Sequence, residues 1–391
     1  MFKMNKKELQ ELGAEITTKE IYQQPELWQE ALENFLSQKE SIDAFLKQVN
    51  ESANGEKVKV IFTGAGTSEY VGNSIWNYLQ TNGNRKQYLF SSIATTDLVS
   101  APHYYLYKED TVILVSFARS GNSPESVAAV DLATQIVDNC FHLTITCAEE
   151  GKLAQKAITN DRNLLLLMPS RSNDAGFAMT GSFTCMMLTA LLIFDENHLD
   201  DEKNAFVQQM KKMAQHIFEK EEDFKALTDL DFDRLVYLGS GSLAGLTREA
   251  QLKVLELTAG KIATLFDSSM GFRHGPKSFL TDKTILIDFV NNDPYIRQYD
   301  IDILEEVKSD DIALKTLSIG QVGQSNFSGT RFDLPSELLL PDAYLAFPII
   351  VAAQTIALLT SVKHGNLPDT PSATGTVNRV VKGVSIHSYK G

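Results

Sequence analysis

Three cysteines in 391 residues leave no disulfide framework to build on. Cys140, Cys147 and Cys185 form no CxxC pair. Cys140 and Cys147 border an apolar run, so the expectation is buried free thiols in a chain kept in a reducing cytoplasm. Basic residues are also in deficit: 36 Lys and Arg against 50 Asp and Glu give a formal charge of −14. That balance excludes a phosphate-backbone surface, and with it nucleic acid as a partner. Long uninterrupted hydrophobic runs are missing. The stretch DAYLAFPIIVAAQTIALLTSVKHG comes nearest, but it carries Pro348 and Gln354 and reads as a buried core helix, so no membrane span is expected. The basic start MFKMNKKELQELG is followed by acidic residues rather than an apolar h-region, so no secretory signal is expected. No HxxxH or clustered carboxylate pattern marks a metal site.

The remaining composition, 43% hydrophobic and 22% charged, is that of a globular enzyme. The length allows two or three structural units. Residues 1 to about 50 carry apolar positions at helical spacing, as in Leu27 to Phe35 and Ile42 to Val49, before the polar break ESANGEK. From Lys57 short β-branched runs alternate with helical stretches: VKVIF, QYLFSSIA, TVILVSFA, FHLTITC and NLLLLMP. That alternation predicts an α/β fold with a parallel sheet covered by helices on both faces. The second half repeats the plan, with RLVYLGSGS matching VIFTGAGTS and KTILIDFVNNDP matching TVILVSFARSGNSP. The expected organisation is an N-terminal helical segment over 1–50 and two doubly wound domains over 51–225 and 226–391.

Two turns of the first domain carry chemistry. VSFARSGNSPES ends an apolar strand in serines, Arg119 and Gly121, and Ser123-Pro124 reads as a helix N-cap with proline at the first helical position. Such a helix start offers backbone N–H groups to an anion, and Ser120, Ser123 and Ser116 add hydroxyl donors. Arg119 is expected among the phosphate-binding residues through a charge-assisted contact, the alternative being a side chain that points away. The competing reading is a polar turn that only caps its helix. TGAGTSEY offers a second turn of the same kind with Gly66, Thr67 and Ser68, whereas the later copy has DFVNNDP, with Asp293 in place of the hydroxyls. One phosphate site, in the first domain, follows. A dinucleotide is not expected: Ser68-Glu69 stand where a third glycine is needed, and Glu69 would repel a pyrophosphate.

The helix REAQLKVLELTAG aligns Glu249, Lys253 and Glu256 on one face. The competing reading is a solvated charged stripe; against it, the helix follows a Gly-rich turn at the ligand edge of a sheet. His274, in RHGPK, sits in a turn between Arg273 and Lys277 and is the histidine best placed for proton transfer.

Taken in order, GAGTS, ARSGNSPES, EAQLKVLE, HGP and NRVVKGVSIH resemble the sugar isomerase (SIS) domain family over roughly residues 50 to 391. The group within it that handles galactosamine 6-phosphate and tagatose 6-phosphate is the most similar. The resemblance implies tandem flavodoxin-like αβα domains. It implies that Ser68, Ser120 and Ser123 bind a sugar 6-phosphate, with Gly66, Thr67 and Arg119 beside them. It implies that Glu256 moves a proton between C1 and C2, that His274 opens the ring from a neighbouring subunit, and that Lys382 contacts the sugar and can form an imine. Glu249 and Lys253 support. Ala118 and Arg119 depart from the serine and glutamine of the amidotransferring relatives, and Gly271 replaces a glutamate.

The activity so implied is a deaminating isomerase: galactosamine 6-phosphate and water give tagatose 6-phosphate and ammonia, without metal or organic cofactor. Without an early cysteine nucleophile for a glutaminase, hydrolytic deamination is expected over amide transfer. The alternatives are plain ketose/aldose isomerisation of tagatose 6-phosphate and a sugar-phosphate sensor; the absence of a basic helix-turn-helix pattern argues against the sensor. A homo-oligomer with a shared active site is the expected assembly.

Overall fold

A computed structural model describes residues 1–372, 375, 378–379 and 383–390 of the chain. Two compact units emerge. One contains Glu26–Asp174, Met179–Lys203 and Val377–Gly391; the other contains Met1–Pro25, Ala175–Ala178 and Asn204–Thr376.

The sheet of the first of these is built from β1 (Val58–Thr63), β2 (Tyr88–Ser92), β3 (Thr111–Ala118), β4 (Asn139–Thr146) and β5 (Asn163–Leu167), ordered β2-β1-β3-β4-β5. All its pairings are parallel. β3 and β4 are buried along all but their first residue, which is why TVILVSFA and NCFHLTIT read as continuous runs rather than alternating ones. On one face, Ile61, Val112 and Leu114 pack with Ala129, Val130, Ala133 and Leu153. Phe62 stacks on Phe90 and Phe117 at centroid distances of 6.0 and 5.9 Å, and meets Phe194 of the wholly buried helix Gly181–Phe194 edge-on at 5.7 Å.

The other unit carries β6 (Arg234–Gly239), β7 (Ala263–Ser268), β8 (Thr284–Phe289), β9 (Lys315–Gln321) and β10 (Thr330–Leu334), ordered β10-β9-β8-β6-β7 and also parallel. With β6 counted as its first strand, this is the strand order of the first sheet. The likeness extends to backbone detail. The helix Thr67–Asn82 starts after Gly66 (φ 56°, ψ −128°), and the helix Ser242–Leu257 starts after Gly241 (φ 61°, ψ −132°). Both values lie in a region that L side chains avoid, so the sharp strand-to-helix turn demands glycine twice. The helices Pro124–Ile136 and Pro294–Asp310 both begin with proline behind an extended residue, Ser123 (φ −61°, ψ 129°) and Asp293 (φ −61°, ψ 123°).

The apolar helix Asp342–Lys363 is buried from Ala343 to Ser361. Its Gln354 is met by Gln24, whose Nε2 donates to Oε1 at 2.7 Å. It is a core helix, as its proline and glutamine lead one to expect. The tandem parallel α/β architecture is the one expected from the sequence.

Candidate active site

In a doubly wound sheet ligands lie beyond the carboxyl ends of the strands, where the order reverses. In the first sheet that point falls between β1 and β3. Thr63 pairs with Ser116 in register, so the turns that follow these residues are neighbours. The sequence therefore brings Gly66, Thr67 and Ser68 to one side of the switch point and Arg119, Ser120 and Ser123 to the other. Thr67 and Ser68 are buried, and Ser120 and Ser123 are half-buried. Thr63 Oγ1 and Ser116 Oγ are buried with no hydrogen-bond partner among the described residues. Unpaired buried hydroxyls cost free energy, of the order of 1–3 kcal/mol each, and call for an explanation.

The loop Ser120–Ser123 is propped from below. Leu153 N donates to Gly121 O at 3.1 Å, and Lys152 N donates to Asn122 Oδ1 at 3.2 Å. Gly151 permits this approach: a Cβ there would lie 2.4 Å from Ser120 O and 3.3 Å from Gly121 Cα. On the other side, Ser68 Oγ lies 3.9 Å from Met179 Sδ. The segment holding Met179 is fixed by Asp174, a fully buried carboxylate that accepts the N–H groups of Thr180, Gly181 and Ser182 at 2.8, 3.1 and 2.9 Å. Neither Gly151 nor Asp174 announces its role in the sequence.

The two sheets part company at their turns. A Cβ added to Gly66 would meet nothing within 4 Å, whereas one added to Gly241 would strike Asp342 Oδ2 at 2.6 Å. That carboxylate accepts the N–H of Ser242 at 3.0 Å. Burial raises the Asp342 pKa, opposed by the bonds from Ser242, Asn291 and Ala343. At the second helix start, Asp293 accepts Tyr295 N and Ile296 N at 2.9 and 3.0 Å, while Ser123 at the matching place makes no side-chain cap. Behind them Ser269 Oγ reaches Asp300 at 2.6 Å and Asp288 at 3.2 Å, and Ser240 Oγ reaches Asp300 at 2.5 Å. Burial, and then the neighbouring Asp300, push the Asp288 carboxyl well up. The second sheet thus fills with its own carboxylates the turns that the first leaves as hydroxyls and glycine.

Glu249, Lys253 and Glu256 do share one face. Lys253 Nζ lies 3.2 Å from Glu249 Oε1 and 2.7 Å from Glu256 Oε2. Glu249 and Lys253 are fully buried, so this is no solvated stripe; the Glu256 side chain keeps 23% of its surface open. Burial works against the Lys253 charge, but the two glutamates outweigh it and hold the ammonium above its ordinary pKa. The helix, however, runs back along the sheet, so Glu256 in its last turn lies about 21 Å from Ser242 at about 1.5 Å per residue. Nearness to the Gly241 turn is therefore not what distinguishes it.

His274 is exposed, held by its N–H to Gly271 O at 2.8 Å. Its neighbours are spoken for: Arg273 Nε pairs with Glu306 at 2.6 Å, and Lys277 pairs with Glu306 and Asp310. Arg119 is buried and bonds to the main chain of Arg379. Lys382 lies outside the described residues. Among the described residues no group of three His, Cys, Asp or Glu side chains suits a metal ion.

Two doubly wound parallel sheets in tandem, one with an open, hydroxyl-bearing turn at its switch point and the other with a buried Glu–Lys–Glu helix face, define the class of fold. The sequence pattern of the SIS domain matches residues 55–194. The chain is 43% identical over 377 residues, 96% of each chain, to an Escherichia coli protein named D-galactosamine-6-phosphate deaminase AgaS. It is 38% identical over 387 residues to the AgaS protein of Shewanella sp. (strain ANA-3), covering 99% of this chain and 95% of that one. Among solved structures, the tagatose-6-phosphate ketose/aldose isomerase of Escherichia coli superposes with a TM-score of 0.87 at 40% identity, covering 96% and 97% of the two chains. The chain belongs to the SIS-domain family, in the AgaS group.

Proposed function

We propose that the protein is a deaminating isomerase that converts galactosamine 6-phosphate and water into tagatose 6-phosphate and ammonia. The observation that carries this reading is the contrast at the helix starts: open space above Gly66 and an uncapped Ser123, against Asp342 and Asp293 seated in the matching turns of the second sheet. A turn sealed by a carboxylate repels a dianion; an open one with hydroxyls and N–H groups receives it. The names of the AgaS relatives supply the substrate.

In this reading the phosphate is held by Ser68, Ser120, Ser123 and the backbone around Gly66 and Thr67. Remote binding energy of this kind positions the sugar for chemistry. His274 shuttles the proton that opens the ring. Glu256, oriented by Lys253 at 2.7 Å, removes the C2 proton and returns it to C1. The C2 imine so formed takes up water and releases ammonia, leaving the ketose. The reading includes an assembly of at least two copies, which the exposure of His274, Phe266 and Met270 supports. A cytoplasmic setting belongs to it too, in keeping with three free, buried cysteines.

The name of the Escherichia coli structure favours a second reading, isomerisation of tagatose 6-phosphate without loss of nitrogen. Ammonia measured against galactosamine, glucosamine and tagatose 6-phosphates decides between them. Stoichiometric ammonia with ketose from galactosamine 6-phosphate is expected; interconversion of tagatose 6-phosphate with no ammonia from either amino sugar sinks the deaminase.

A further inference from the structure

Arg119 stands between the end of β3 and Ser120, in the middle of the phosphate loop, yet its side chain is only 6% exposed. Its Nη2 donates to the main-chain carbonyl of Arg379 at 2.9 Å. Arg379 is gripped from the other side: its Nε donates to Asp174 O at 3.0 Å and its Nη2 to Asn173 Oδ1 at 3.2 Å. Asp174 in turn fixes Thr180, next to the Met179 that touches Ser68. The contacts form a chain running from the Ser120 turn, through the C-terminal segment, to the Ser68 turn. Farther on, Gln135 Nε2 donates to Tyr389 O at 3.4 Å. Between these two anchors, residues 383–388 are exposed and have no regular secondary structure.

We infer that Arg119 is a positioning residue: its guanidinium seats the C-terminal segment against the phosphate loop instead of serving as a ligand of the phosphate. The chemistry fits. A guanidinium presents five donors in one rigid plane, and a charged donor on a carbonyl makes a strong, directional tie. The claim rests on the deaminating-isomerase reading only where turnover is measured.

The test uses the full chain with a nitroxide on Ser385→Cys, which is exposed while the three native cysteines are buried. In Arg119→Met the nitroxide spectrum should shift to a mobile component, and Arg119→Lys should restore part of the immobile one. The inhibition constant of inorganic phosphate should stay within about twofold. Ammonia release should lose roughly tenfold in kcat with little change in KM, the scale of one charge-assisted hydrogen bond. Arg379→Ala cuts the same tie from the other end and should mobilise the label equally, which keeps the test alive if Arg119→Met does not fold. A phosphate constant weakened tenfold or more with an unchanged label spectrum overturns the proposal and makes Arg119 a phosphate ligand. An immobile label in Arg379→Ala overturns it as well. Should the parent enzyme release no ammonia, the proposed function falls, while the label and phosphate measurements still judge Arg119.

Discussion

Asp342 and Ser242, a hundred positions apart in the chain, are joined by a carboxylate-to-N–H bond of 3.0 Å at the start of a helix. The carboxylate sits where the first sheet has open space above Gly66. Replacing it should therefore separate two roles. Asp342→Asn keeps an acceptor for Ser242 and removes a buried charge, so stability measured in urea should change by less than about 1 kcal/mol. Asp342→Ala leaves the N–H unpaired and should cost about 1–3 kcal/mol. Equal losses in both would mean the charge, not the acceptor, holds the turn.

Glu256→Gln should abolish turnover by about 10²–10⁴-fold, the usual worth of a positioned acid–base group. Lys253 keeps Glu249 at 3.2 Å in that variant, so the helix should stay folded. Inhibition by inorganic phosphate should be unaltered. Retained turnover would falsify the assignment of Glu256.

Gly151→Ala drives a methyl group to within 2.4 Å of Ser120 O, a backbone atom that cannot swing aside. The loop Ser120–Ser123 must shift. The expected outcome is a KM for the sugar phosphate raised by about tenfold, with a stability loss of roughly 1–3 kcal/mol from overpacking. Steady-state kinetics that match the parent enzyme would show the loop to be free of its prop.

His142 is 1% exposed on β4, with Nε2 at 3.0 Å from Thr134 Oγ1 and 3.5 Å from Cys140 Sγ. Burial, opposed by Asp131, lowers its pKa from 6.5 to about 4. The folded chain thus resists protonation more than the unfolded one. Stability from this residue is complete above pH 6.5 and is lost as pH falls toward 4, amounting to about 2–3 kcal/mol between pH 7 and 4.5. In His142→Gln that part of the acid slope should vanish. Urea midpoints at pH 7, 5.5 and 4.5 for both chains measure it; parallel slopes contradict it.

Much of this architecture is legible in the sequence because buried parallel strands are conspicuous. TVILVSFA and TILIDF stand out as apolar runs, and Gly66 and Gly241 mark the turns that follow their neighbours. β7, β9 and β10 do not stand out. ATLFDS is a sheet-edge strand with Ala263 and Phe266 exposed, KTLSIGQ mixes polar residues into its run, and TRFDL ends the sheet with two charges. Edges have one neighbour and much water, so their composition carries less of the hydrophobic signal. At the site, the hydroxyl turns and the Glu249–Lys253–Glu256 face are readable as local spacing. Asp342, Asp174 and the Arg119–Arg379 tie are not, because each acts on residues that only folding brings near.

The pair of glycine turns has a consequence for how such a chain changes over time. The backbone at Gly241 already has the shape of the one at Gly66, where the phosphate is proposed to bind. What fills the matching turns of the second sheet is a pair of tethered carboxylates, Asp342 on a helix far along the chain and Asp293 at the next helix start. In the proposed reading only those carboxylates separate one receptive cradle from two, so the molecule holds in reserve a ready-shaped berth that new ligand chemistry can exploit without any redesign of its framework.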